Sequence, residues 1–272
     1  PSGPRVAGSG LEPAAGEDPL WDERYVARQG EVPVHRPVLT GDVFTGVQVR
    51  RTTGEVQTKS VLVLQHPCTM RTTGAALKDS LLVASLRNFP VLGRGQWGTN
   101  EKCMPLPDLR PGVDSGARHQ GAFFESAYFV HPDDLLAGTR IACLSEIGMY
   151  LALQRWMYHS SRLAVPTWQL EEANSHVYAE ADLGEAWGEV ALKGGASLDS
   201  SAADFDAWLV SAPNGTSRRD MLRSTGQRSH VQRDMKQELN ARYQPRASPS
   251  DSSSEDHDGG DGEQDRDPRG RE

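Results

Sequence analysis

No stretch of the 272 residues is an unbroken apolar run of the ~18 residues that a membrane-spanning helix needs. Nor does a charged start lead into an apolar core and a small-residue cleavage site, so the expectation is a soluble, cytoplasmic chain with no membrane partner. Cysteine is scarce: Cys68, Cys103 and Cys143 are an odd number without an export signal, which points to reduced thiols rather than a disulfide framework. No Cys-x-x-Cys or His-x-x-x-His pair occurs, so closely spaced metal ligands are missing and no cofactor is expected. Large apolar residues are wholly lacking from Arg246 to Glu272, where there is no Val, Leu, Ile, Met, Phe, Tyr or Trp. Such a segment cannot bury enough surface to offset its ordering entropy, and 246–272 reads as an acidic disordered tail.

What is present is unevenly charged. Of the formal net charge of -8, residues 217–246 hold eight Lys and Arg against three acids, while 247–272 hold nine acids against three Arg. The body is therefore acidic, which argues against broad, sequence-independent gripping of nucleic acid. Residues 1–38, rich in Gly, Pro and Ala, read as a flexible arm with one short apolar anchor at Leu20, Trp21 and Tyr25.

The alternation of Val43, Val47 and Val49 with small or polar residues predicts a half-buried strand, and the continuous apolar runs at 60–65 and 80–86 predict buried ones. Aromatic 122–130 and `GTRIACLS` supply further strands, separated by a Gly- and Pro-rich stretch at 93–121 that reads mostly as loop. Ser145 can cap a helix whose Ile147, Tyr150, Leu151, Met157 and Tyr158 suggest a sheet-facing stripe. Pro166 stops it. A second helix, with a break, is expected from Trp168 to Leu192, and a third behind the capping pattern Ser201 to Asp204. The resulting division is 39–165 for strands plus closing helix, 166–216 for a helical extension, and 217–245 for a basic segment, either exposed helix or linker.

Chemistry concentrates first in `VLVLQHPCTM`, residues 61–70. His66 beside Cys68 suggests an activated thiol, since a neighbouring imidazole lowers a thiol's pKa. Cys68, Cys103 and Cys143 with His66, His119 or His131 form an alternative zinc set. The simplest reading is a strand end at which Pro67 stops the ladder and Cys68 packs as a small hydrophobe. Arg155, His159 and Arg162 at i, i+4 and i+7 share a helix face, either a phosphate-binding stripe or a solvated one. Candidate acids and bases are Asp42, Glu125, Asp133, Asp134, His119 and His131, with the paired aspartates suiting turn initiation.

The order of elements, a `GDV` strand, a polar loop, `VLVLQ`, `LLVASL`, an aromatic strand and `DDLLAGTRIACLSEIGMYLALQRWMYH`, resembles the MazF/PemK-type endoribonuclease toxins over about residues 40–160. That resemblance implies an α+β fold, a small SH3-like barrel followed by helices. It also implies a homodimer that binds or cuts single-stranded RNA without metal, in a toxin or phage-defence setting. The family's arginine before the second strand is matched by Lys59, and its hydroxyl after the third by Ser85, with Arg87, Arg50 and Arg51 as further cations. Lysine lacks arginine's planar fork, and Ser85 is one position early, which in a strand reverses its face. The competing expectation is a non-catalytic module that uses the barrel and the helices after Pro166 to bind a partner protein. A Cys68 thiol enzyme or zinc enzyme is a third.

Overall fold

The computed structural model describes residues 10–12, 24–71, 76–90, 100–110 and 118–243; the expected tail and the Leu20 and Trp21 anchor lie outside them. Seven antiparallel strands form one sheet: β1 (Tyr25–Arg28), β2 (Asp42–Arg50), β3 (Val56–Val63), β4 (Leu81–Pro90), β5 (Cys103–Leu106), β6 (Arg118–Val130) and β7 (Thr139–Leu144). Their order is β1-β7-β2-β3-β4-β6-β5, so β1 and β5 are the two edges and the ladder does not close into a barrel. The edges nevertheless meet through side chains, because the Tyr25 hydroxyl donates to the Pro107 carbonyl at 2.8 Å and Arg28 donates to the Asp108 carbonyl at 2.9 Å. The α+β class stands, as an open and curled sheet.

β3 lies in the middle and is covered on both faces. Leu62 and Leu64 enter one core with Tyr25, Met104 and Phe124, while Val61 and Val63 enter a second with Phe44, Met70 and Leu81. This double burial is why its sequence is a continuous apolar run rather than an alternating one. β1 recruits residues that composition assigns to the arm, and β5 lies within the stretch read as loop.

Seven helices follow among the described residues: α1 (Pro67–Met70), α2 (Pro132–Leu136), α3 (Glu146–Ser161), α4 (Thr167–Lys193), α5 (Leu198–Val210), α6 (Arg218–Met221) and α7 (Thr225–Tyr243). Ser145 caps α3 as expected, accepting from the Gly148 amide. Its apolar stripe is not the predicted one, since Ile147 is 52 % exposed. α3 is instead sandwiched: Leu151 and Ala152 face the sheet, while Met149, Tyr150 and Leu153 face Leu170 and Tyr178 of α4.

α4 runs without the expected break for 27 residues, roughly 40 Å at helical rise. Its first half packs on α3, and its second half presents Leu183, Trp187 and Ala191 to Phe205, Trp208 and Leu209 of α5 and to α7. Trp187 is fully buried, its ring 5.4 Å from Trp208 and 5.7 Å from Phe205. α5 is capped by Ser197, one turn earlier than expected, and Ser201 is buried inside it. The basic segment is mainly α7, held by Val231, Met235 and Leu239 at intervals of four.

Candidate functional site

The sequence HP occurs before two short helices and acts the same way in both. His66 Nδ1 accepts from the Cys68 amide and His131 Nδ1 from the Asp133 amide, each at 3.2 Å, with proline at the first helical position. His66 Nε2 also lies 2.8 Å from Asn174 Oδ1, whose amide group donates to the Leu170 carbonyl. With Nδ1 accepting, the proton belongs on Nε2, and both ring nitrogens are committed. His66 is therefore a cap and a strut to α4 rather than a base for Cys68. The Cys68 thiol is exposed, yet burial of its surroundings pushes its pKa up, opposite to the shift an activated thiol requires.

The zinc set does not assemble: among the described residues no group of three or more His, Cys, Asp and Glu side chains is placed to hold a metal ion. Cys103 and Cys143 are buried, and burial raises both thiols, Cys103 to about 12. The helical stripe is only in part a surface feature, with Arg162 exposed and His159 half-buried. Arg155 is fully buried, where desolvation pushes its pKa down to about 10, and it donates to the Glu12 and Leu151 carbonyls. His159 stacks on Trp156, and Arg162 takes the left-handed cap position and pairs with Glu101 at 3.4 Å.

On the sheet, the pair Val61–Ser85 brings β3 and β4 into register, so Lys59 and Arg87, two residues beyond on each strand, fall on the same face by alternation. Ser85 is only 3 % exposed. Arg87 stacks on Phe123 and pairs with Glu125 at 2.7 Å. Arg50 and Arg51 are exposed at the β2–β3 turn, where Arg50 donates to the Gly54 carbonyl and Arg51 pairs with Glu55. Asp42 is structural: it accepts from the Leu39 amide and pairs with Arg140 at 3.0 Å. Asp133 and Asp134 occupy the first turn of α2, and His119 lies on β6.

A concavity among the described residues lies elsewhere. A cavity of about 490 Å³ opens between the sheet and the helices after Pro166, within the size range of small-molecule sites. One wall is segment 33–39, fastened by Arg140, whose guanidinium donates to the carbonyls of Pro33, Arg36 and Pro37. The opposite wall is α4. Gly188 lets His35 approach so closely that an added Cβ would lie 2.8 Å from the His35 Cβ, and Gly184 is similarly close to Pro37 and Phe205. α5 and α6 complete the rim.

Five arginines line this cleft, and their partners separate them. Arg140 is held by Asp42. Arg36 is paired with Glu185 and with Asp182; burial opposes its charge, but these carboxylates outweigh burial and raise its pKa. Arg219 is gripped by both Glu180 oxygens, at 3.1 and 3.0 Å, and by Asp206 at 2.8 Å. Arg223 is exposed, with Asp220 at 3.8 Å. Arg71 differs from all of them: its Nη2 donates to the Val38 carbonyl at 2.9 Å, and no carboxylate lies within ion-pair distance of it among the described residues. Burial lowers its pKa, and Glu180, Asp42 and Asp206, acting from beyond ion-pair distance, do not make up the difference.

His176 of α4 lines the same end. Burial first, then Arg223 and Arg228, lower its pKa, so the ring is neutral at physiological pH. Glu180, one turn further along, is within electrostatic reach of Arg71, Cys68 and His176 alike, which shows that these groups converge. Of the catalytic, binding and metal-ligating candidates named from sequence, Cys68 alone lines this cleft among the described residues, with Pro67 beside it. No protein-family model matches the chain, and no curated protein matches it either.

Proposed function

We propose that this chain is a ligand-binding protein whose cleft between sheet and helices captures an anionic group through Arg71. The observation that carries this reading is the partner set of Arg71: among the described residues, the Val38 carbonyl and a long contact to Met70 Sδ, with no carboxylate at ion-pair distance, in a cleft where Arg36, Arg140 and Arg219 each have their own. A guanidinium in such surroundings gains most from a planar, two-oxygen anion that it can bind through two parallel N–H bonds. Neutral His176 supplies a second polar contact, and the apolar remainder of the cleft excludes water. Titrating the full chain calorimetrically with acetate, benzoate and inorganic phosphate is expected to show saturable binding of at least one, lost in Arg71→Met. Binding of none, or binding indifferent to Arg71→Met, would end this reading.

A second reading places RNA on the sheet. It is favoured by one observation, the β3–β4 register that sets Lys59 and Arg87 on one face beside Ser85. The expected outcome is cleavage or binding of single-stranded RNA that is lost in Lys59→Ala/Ser85→Ala; an intact protein inert toward RNA would dispose of it.

A further inference from the structure

Resting on the cleft as an anion site, we infer that its ligand is an amphipathic monoanion, a carboxylic acid with an alkyl or aryl body. Two independent features of the cleft point there.

The first is charge. At the Arg71 end the lining holds Arg71, Arg219 and Arg223; Arg219 is held by Glu180 and Asp206 and Arg223 pairs with Asp220 at 3.8 Å, so Arg71 alone is left without an ion-pair partner among the described residues. Arg36 and Arg140 are neutralised by carboxylates of their own. A single negative charge supplies the ion-pair partner of Arg71. A dianionic phosphate would bring a second charge beside Glu180 and Asp206, whose negative charge Arg219 only partly offsets.

The second is the change in character along α4. The α4 residues that line the cleft run His176, Val177, Glu180, Ala181, Gly184 and Gly188, so polar groups end within little more than one turn and small apolar ones follow for about 10 Å, with Gly184 closed over by Pro37 and Phe205 and Gly188 by His35. Ala202 and Phe205 of α5 face this second half. Val34, Leu136 and Leu198, which rim it, are 73 %, 54 % and 45 % exposed. The only acid in that part is exposed Asp199, in the first turn of α5 beside Leu198. Apolar side chains of this size gathered at one cleft mouth leave water on binding a hydrocarbon body, and one charged end fixes which way it lies.

The ligand then sits with its carboxylate on Arg71, the one N–H of neutral His176 donating to it, and its body between Ala181 and Ala202. The test is a titration of the full chain with acetate, octanoate, octyl phosphate, inorganic phosphate and 1-octanol, repeated on Arg71→Met and on Ala202→Trp. Ala202 is exposed on α5, so the indole fills the apolar half without entering the core. Octanoate is expected to bind at least tenfold more tightly than acetate and than 1-octanol. Ala202→Trp should weaken octanoate at least fivefold while leaving acetate unchanged, and Arg71→Met should weaken both. Equal affinity for acetate and octanoate overturns the apolar body, and tighter binding of octyl phosphate or inorganic phosphate overturns the single charge; either result leaves Arg71 as an anion site. Loss of every probe's binding in the unmodified chain, or insensitivity to Arg71→Met, overturns the site itself.

Discussion

Two junctions differ: the one between α3 and α4 is sealed, and the one between the sheet and the later helices is open. At the sealed junction residues 10–12 enter between α3 and α4. The Glu12 carboxylate accepts from the Thr167 amide at 2.7 Å and from the Thr167 hydroxyl, and its backbone amide donates to Gln154. This carboxylate caps a helix whose own cap position is Pro166, a residue with no side chain able to do so. Arg155, buried in the same place, finds the Glu12 carbonyl. At the open junction burial also lowers the Arg71 pKa, and among the described residues the chain offers it the Val38 carbonyl and, at 3.8 Å, Met70 Sδ. Both junctions contain an arginine whose charge burial disfavours, Arg155 fully buried and Arg71 half-buried, but among the described residues only the first has a chain segment to fill it. That difference is what suggests the proposed anion site.

The widest test of this contrast removes the wall that makes the second junction. Trp187→Ala should cost about 3–5 kcal/mol of stability by the usual range for a buried aromatic, seen as a lowered melting temperature. It should abolish anion binding while far-ultraviolet circular dichroism retains the strand signal; preserved binding would mean that α4 and α5 do not form the wall. Next, Glu12→Ala should cost about 1–2 kcal/mol, as loss of a helix cap does, with anion affinity unchanged because the sealed junction is not the site. Arg71→Met should do the reverse, leaving stability within about 1 kcal/mol and on the stabilising side, since a charge that burial disfavours is replaced by an apolar stem. Marked destabilisation of that variant would show Arg71 to be structural.

The smallest effect is with pH. His176 faces Arg223, Arg228, Glu180 and His66, and its folded pKa lies below its ordinary value, chiefly through burial. The unfolded chain therefore binds the proton more readily, and stability falls as pH drops below about 6.5 toward the folded pKa. His176→Gln should flatten the melting temperature between about pH 5 and 7; an unchanged slope would assign that titration to another group.

How much of this could be read in advance depended on burial. β3 and β4 were legible because both faces of the sheet are covered, which writes unbroken apolar runs into the sequence. The same double covering misled for α3, where contacts on two sides erase a single stripe. α7 was ambiguous because only Val231, Met235 and Leu239 hold a helix that is otherwise polar. The repeated HP was a readable signal that passed unnoticed, two histidines capping two short helices. The cleft had no local signature, since its walls come from 34–39, from Pro67, Cys68, Arg71 and Leu77, from Leu136 and Arg140, and from residues of 176–188 and 198–223. Arg71, three residues after Cys68, was the nearest trace, and it carries no spacing that singles it out.

The contact between the sheet's two edges has a consequence for association. A strand edge with unpaired amides and carbonyls is an invitation to another chain, yet here each edge faces its counterpart across Tyr25, Arg28, Pro107 and Asp108. A homodimer formed by pairing β1 or β5 with a second copy would first have to part a phenol and a guanidinium from two carbonyls. The sheet thus behaves like a cuff fastened by two buttons: it can be undone at one seam without tearing any ladder, and while fastened it offers a newcomer little backbone to join.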